Sequence, residues 1–274
     1  MELQQSPLYG KYIHALKWDV LSIDGIQMFY KRIPFIGGLL KIQRPAHLPD
    51  LKKLLPLIKE HHVKTVAIEP VEQENLSTYK RWVKTLEKYV RVTRSSYQPT
   101  KTIRINTTPT ENEIFRVFSE AKRRAVRKAG KNGIVIKESS NIQDLIAIKN
   151  KSGGFFGFIT TIGIDKLWSL VYPNHATILL AYNQNQKLIA GVLLLFWNKT
   201  AYYWIAGATK EGKKLFAPTL LVWEALKTSK NHDAHQFDFL GVWDERKPKE
   251  HKDWLGFTKF KEGFGGTSIY YPIY

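Results

Sequence analysis

Two periods of apolar and polar residues take turns along this chain. Alternation at every second position reads as strand, and apolar spacing of three to four reads as helix. A helix starts at Ser6-Pro7, with proline in its first turn. Positions 19–23 and 28–33 are strand-like runs around Asp24-Gly25, a hairpin signal. A strand over 38–42 follows, then a helix over 48–62 with Leu51, Leu54, Leu55 and Ile58 on one side. Residues 63–70 return to strand, 76–89 to helix and 101–106 to strand. Thr110 opens a longer helix through a capping box with Glu113, and Ile114, Phe118, Ala121 and Ala125 form its apolar stripe. Asn132-Gly133 closes that helix before a strand over 134–136.

A similar round then begins. Helices over 142–150 and 165–171 lead into strand-like runs at 176–182, 188–196 and 201–205. Asn183-Gln184-Asn185 and Asn198-Lys199 supply the turns between them. Pro218 opens a helix to about residue 230, 236–240 is a strand, and a glycine- and aromatic-rich stretch over 257–274 ends the sequence. The repeated order predicts an α/β (α+β layered) protein of two similar domains, divided at 137/138.

Composition narrows the class. With 274 residues, 43% of them hydrophobic, the chain can bury proper cores, which excludes disorder, collagen and coiled coil as its main architecture. No apolar run approaches the roughly 20 residues of a membrane span. The first residues lack the basic-then-apolar order of a secretory signal, so a cytoplasmic location is expected. Cysteine is absent, removing disulfides, thiolate catalysis and cysteine-ligated zinc. The net charge of +18 favours a polyanionic partner such as tRNA, another nucleic acid or an anionic lipid surface.

Most catalytic patterns are missing. His232 and His235 are three apart in a polar turn with no third ligand, so no metal is expected. There is no nucleophile elbow; Asp238, Asp244 and Glu245 read more readily as turn or salt-bridge residues than as a general base. Gly37-Gly38 and Gly153-Gly154 lack the companions of a phosphate loop. The segment 209–214 sits where an acetyltransferase would cradle coenzyme A pyrophosphate, but Leu215 and Phe216 intervene before Ala217-Pro218, which counts against that cofactor. No cofactor is expected.

Two segments carry more. Lys122, Arg123, Arg124, Arg127, Lys128 and Lys131 place six basic residues within ten, more than a helix C-terminus needs, and suit a phosphate backbone. Over 254–266, glycines permit tight turns and Lys261 lies among aromatic residues, where a partly dry cation would stabilise developing negative charge.

Four stretches together resemble the FemABX family of aminoacyl-tRNA-dependent transferases that build peptidoglycan cross-bridges. They are Gln5-Ser6-Pro7-Leu8-Tyr9-Gly10 with Trp18, the basic helix from Ala121 to Ala129, Phe237-Asp238-Phe239-Leu240-Gly241-Val242, and Phe260-Lys261-Glu262-Gly263-Phe264-Gly265-Gly266. They occur in family order, supported by Ala217-Pro218 and Trp223-Glu224. The resemblance implies two GNAT-like domains in tandem, 1–137 and 138–265, with 266–274 returning to the first. No heptad pattern marks the inserted coiled-coil arm of some members.

The resemblance also implies transfer of an amino acid from tRNA to the stem-peptide amine of a peptidoglycan precursor, in cell-wall and cell-shape maintenance. Lys261 and Phe260 would be catalytic. Lys122, Arg123, Arg124, Arg127 and Lys128 would hold the tRNA, and Ser22, Lys166, Tyr203 and Phe264 the acceptor. A Lys or Arg near Ser22, an Arg-Pro-x-x-Tyr over 162–166 and a Tyr at Ile205 are family features that this sequence lacks. The precursor is nucleotide- or lipid-linked, the latter bringing a peripheral contact with the inner membrane face, and the protein is expected to be a monomer. Two rivals remain: an N-acyltransferase using acyl-coenzyme A, and a non-catalytic RNA-binding protein.

Overall fold

The computed structural model describes residues 1–35, 37–153 and 161–274. They divide into two compact units, Met1–Lys101 with Ile269–Tyr274, and Thr102–Ser268. In the first, helix α1 (Pro7–Ala15) precedes strands β1 (Asp19–Ile23), β2 (Ile26–Ile33) and β3 (Gly37–Gln43). Helix α2 (Leu51–Glu60), strand β4 (Val63–Glu69), helix α3 (Leu76–Leu86) and the two-residue β5 (Arg91–Val92) complete it. The five strands lie in chain order, antiparallel from β1 to β3 and parallel from β3 to β5. Met28, Leu40, Ile42, Leu54, Val83 and Leu86 form the core beneath them. Asp24 and Gly25 both take positive φ in the β1–β2 turn, as the hairpin signal requires.

Strand β6 (Lys101–Asn106) leads from the first unit into the second, followed by α4 (Glu111–Arg116), α5 (Glu120–Lys131), β7 (Val135–Ser139), α6 (Ile142–Ser152) and α7 (Ile164–Val171). A meander follows, β8 (Ala176–Tyr182), β9 (Leu188–Trp197) and β10 (Thr200–Ala208), then α8 (Lys210–Lys214), α9 (Ala217–Asn231), β11 (Gln236–Gly241), α10 (Leu255–Glu262) and β12 (Thr267–Tyr270). Its sheet runs β12-β6-β11-β10-β9-β8-β7. Parallel pairing of β10 with β11 lasts only from Thr200–Gln236 to Tyr202–Asp238, although β10 continues to Ala208. A bulge between Tyr203 and Ile205 marks where the two strands part.

The division differs from the expected 137/138. Strand β6 pairs with β11, so residues from 102 onward belong to the second sheet. That partner lies more than 130 residues away, and local pattern says nothing of it. The single helix expected from Thr110 is two helices. The capping box at Thr110 and Glu113 forms as expected, but Ser119 caps a second start by accepting from Lys122 N. The new phase buries Val126 and Ala129 and leaves Ala121 exposed, while Ile114 and Phe118 stay in the core. Gly154 lies outside the described residues, so the Gly153-Gly154 pair is not followed further.

Candidate functional site

Where β10 and β11 part, a cavity of about 880 Å³ opens, a size suited to a ligand. Tyr203 to Ala208 of β10 and Phe239 to Gly241 of β11 line two sides, and Phe216, Pro218 and Thr219 at the start of α9 a third. Phe257, Phe260 and Lys261 of α10 also face it. Four lysines line the wall, Lys122, Lys149, Lys213 and Lys261, and no aspartate or glutamate does among the described residues.

Lys261 is fixed by the strand beneath it. The register of β11 against β6 slips between Asp238 and Gly241, with Leu240 at a φ of 55°. Across that slip the Lys261 Nζ donates to the Phe239 carbonyl at 2.9 Å and the Gly241 carbonyl at 2.7 Å. Burial pulls its pKa down to about 7; Asp238 opposes the shift and Lys149 adds to it. The Phe257 ring lies 4.8 Å from the same amine. Helix α10 is tied back by Thr258, whose hydroxyl accepts from Trp243 N at 2.8 Å. The segment 254–266 is therefore mostly helix, and its tight turn falls at Gly265 and Gly266, with φ of 77° and 92°. A Cβ at Gly266 would stand 2.5 Å from the Arg104 carbonyl, so no other residue fits there.

Phe260 lines the cavity, whereas Phe264 is fully buried beneath it, packed on Phe118, Phe239 and Phe260 at centroid distances of 5.1–5.8 Å. Phe264 thus supports the site from below and is not among the residues that line the cavity. Tyr203 lines the cavity, and burial raises its phenol, keeping it neutral. Lys166 stands exposed on α7 and Ser22 exposed on β1, and neither lines the cavity. Asp238 is not a free base. It is buried, accepts from Thr102 Oγ1 at 2.5 Å and Leu240 N at 2.7 Å, and pairs with Arg104 at 2.8 Å. Asp244 pairs with Arg246 at 2.7 Å.

The basic helix does not present one uniform face. Lys122 turns inward, its Nζ 3.7 Å from the Phe260 ring centroid and 4.8 Å from that of Phe264. Arg123 donates to the Arg116 carbonyl at 2.9 Å and to the Phe118 carbonyl, closing the α4–α5 turn. Lys128 stands 5.2 Å from the Phe216 ring, and Arg127 5.7 Å from that of Phe115. Arg124 is exposed and meets Glu120 at 3.7 Å.

Lys149 and Lys213 are functional candidates that the sequence motifs do not mark. Lys149 follows Leu145 and Ile148 on the buried side of α6, and burial together with the Lys213 charge lowers its pKa. A lysine in phase with buried leucine and isoleucine is the one signal available for it. Lys213 belongs to the segment 209–214, where an acetyltransferase would cradle pyrophosphate. Thr209 caps α8 there by accepting from Gly212 N at 3.0 Å.

Two sheets in one chain, the second splayed over its cavity, define a tandem GNAT-like α/β fold. The FemAB family model matches residues 174–272, which bears out the FemABX resemblance carried by the motifs. The FemX crystal structure is similar over 98% of this chain and 90% of that one, at 17% identity and a TM-score of 0.77. The C-terminal domain of a putative lysylphosphatidylglycerol synthetase from Agrobacterium fabrum aligns over 98% of this chain and 87% of that one, at 11% identity and a TM-score of 0.62. A tandem GNAT protein from the clavulanic acid biosynthesis pathway aligns over 92% and 80%, at 10% identity and a TM-score of 0.53. No curated protein matches the sequence. Among the described residues no coiled-coil arm is present, and no helix is long and apolar enough to cross a membrane.

Proposed function

We propose that the protein is an aminoacyltransferase that moves an amino acid from aminoacyl-tRNA to the stem-peptide amine of a peptidoglycan precursor. The observation that carries this reading is the cavity at Lys261, with four lysines, aromatic walls and no carboxylate among the described residues, lined in part by segments that resemble the family. Such a wall suits the phosphates and bases at an RNA 3′ end. The acceptor amine attacks the ester carbonyl, the carbonyl oxygen gains negative charge, and the 3′ oxygen of the tRNA leaves. Lys261, held by two main-chain carbonyls, keeps an N–H for that oxygen. An activated ester needs orientation and charge stabilisation more than a protein nucleophile.

Phe260 orients the ester, while Arg124, Arg127 and Lys128 engage the tRNA outside the cavity. Tyr203 contacts the transferred group or the acceptor, and Ser22 and Lys166 remain acceptor contacts by resemblance alone. We place the reaction in the cytoplasm, carried out by a monomer on a nucleotide- or lipid-linked precursor. The test is incubation of the purified protein with tRNA charged with radiolabelled amino acids and with soluble and lipid-linked precursors. Label entering a precursor, and lost when the tRNA is first digested with RNase, is the expected result. No transfer alongside tight tRNA binding would favour a binding protein. Transfer from acyl-coenzyme A instead would favour the rival acyltransferase.

A further inference from the structure

Lys122 and Lys261 line the same cavity, but their amines are held in opposite ways. The Lys261 Nζ is anchored by two carbonyl oxygens. The Lys122 Nζ has no hydrogen-bond partner among the described residues and rests on the faces of Phe260 and Phe264. A π face attracts the ammonium form, and the same face makes ordinary apolar contact with the neutral amine. Neither state is locked.

The backbone is arranged to make room for this contact. Ser119 N donates to the Gly263 carbonyl at 2.9 Å, joining the start of α5 to the end of α10. A Cβ at Gly263 would lie 2.7 Å from Lys122 Cε and 3.0 Å from its Cγ. Gly263 has a φ of −63°, which any residue adopts, so the missing side chain serves the lysine and not the turn.

We propose that Lys122 is a second catalytic residue, the proton shuttle between the attacking amine and the departing 3′ oxygen. This rests on the transfer reading above. The nitrogen forms its bond to the carbonyl carbon as the C=O pair moves onto oxygen, beside Lys261. The Lys122 lone pair then takes the proton that the new ammonium must lose. As the C=O re-forms and the bond to the 3′ oxygen breaks, Lys122 returns that proton to the leaving oxygen. The products are an amide and a free 3′ hydroxyl, and Lys122 ends as it began.

Burial alone brings Lys122 down to about 8, and the other titratable groups on the cavity wall are Lys149, Lys213, Lys261 and the neutral Tyr203. The active form holds Lys261 charged and Lys122 neutral. The kcat/KM of the full chain therefore rises on the acid side to a narrow maximum between about 7 and 8 and then falls.

Lys122→Arg keeps a cation over the rings but does not release its proton. It should lose about 10²–10⁴-fold in kcat, with charged-tRNA affinity within a few-fold of wild type. Lys122→Met should lose as much, and its profile should lose the rise on the acid side. Gly263→Ala, which displaces only the lysine, should lower kcat without lowering the melting temperature. If Lys122→Arg turns over at the wild-type rate, or Lys122→Met keeps the acid-side rise, Lys122 is not the shuttle. Wild-type protein that transfers nothing from charged tRNA would overturn the transfer reading itself, a separate failure.

Discussion

Replacing Lys261 with methionine should abolish transfer and stabilise the fold. An ordinary lysine titrates near 10.5, and burial brings Lys261 to about 7. Between those pH values the unfolded chain binds a proton that the folded chain does not, so stability rises with pH across that window. Below pH 7 the buried charge costs up to about 5 kcal/mol, a ceiling because the cavity mouth admits water. Against this, methionine leaves the Phe239 and Gly241 carbonyls without their donor, a loss of about 1–2 kcal/mol each. The net gain at pH 7 is about 2 kcal/mol, or roughly 4–8 °C in melting temperature for a chain of this size. The assay is thermal unfolding of both proteins from pH 6 to pH 10.5, with turnover measured in parallel. The advantage of the variant should shrink steadily above pH 7 as the wild type loses its buried charge. A variant that melts below wild type at pH 7, or a gap that ignores pH, would refute the account of Lys261 as a costly buried cation.

Asp238→Asn leaves Arg104 without its carboxylate and should destabilise the second unit by about 3–5 kcal/mol, read by urea unfolding. Phe264→Ala removes a fully buried ring under the cavity and should cost about 3–5 kcal/mol by the same assay. Changing Lys149 and Lys213 together to alanine should weaken tRNA binding, and the slope of log affinity against log salt should fall by about 0.7 for each phosphate no longer neutralised. An unchanged slope would place the RNA elsewhere. Arg124 and Arg127 changed together should act similarly without loss of stability, whereas Arg123→Ala should lower the melting temperature because its guanidinium closes the α4–α5 turn.

The elements are legible where one local signal governs them. The hairpin at Asp24-Gly25, the capping box at Thr110 and the meander over 176–208 all form as their patterns require. The break before Ser119 is less legible, since two competing caps lie nine residues apart and burial of Val126 and Ala129 decides between them. Motif resemblance singles out Lys261 and Phe260, which the fold does bring to one cavity with Lys122 and Tyr203. It gives no hint that Lys149 and Lys213 converge there from α6 and α8. Nor does it show that Phe264 is buried beneath the cavity wall. Convergence depends on the parting of β10 from β11, and that parting leaves no periodic mark in either strand.

The return of residues 269–274 to the first unit bears on how the protein is made. Tyr271 N donates to the Thr100 carbonyl at 2.9 Å, its ring lies 3.3 Å from the Arg44 guanidinium, and Tyr274 donates to Glu87 at 2.6 Å. The first unit is thus interrupted by the whole of the second. During synthesis its five strands emerge first, yet these bonds form only after the second unit has left the ribosome. Losing residues 269–274 would loosen the early-made unit and cut short only the edge strand β12 of the other sheet, away from β11, whose Phe239 and Gly241 carbonyls hold Lys261. Limited proteolysis of such a truncation should accordingly cut within the first hundred residues.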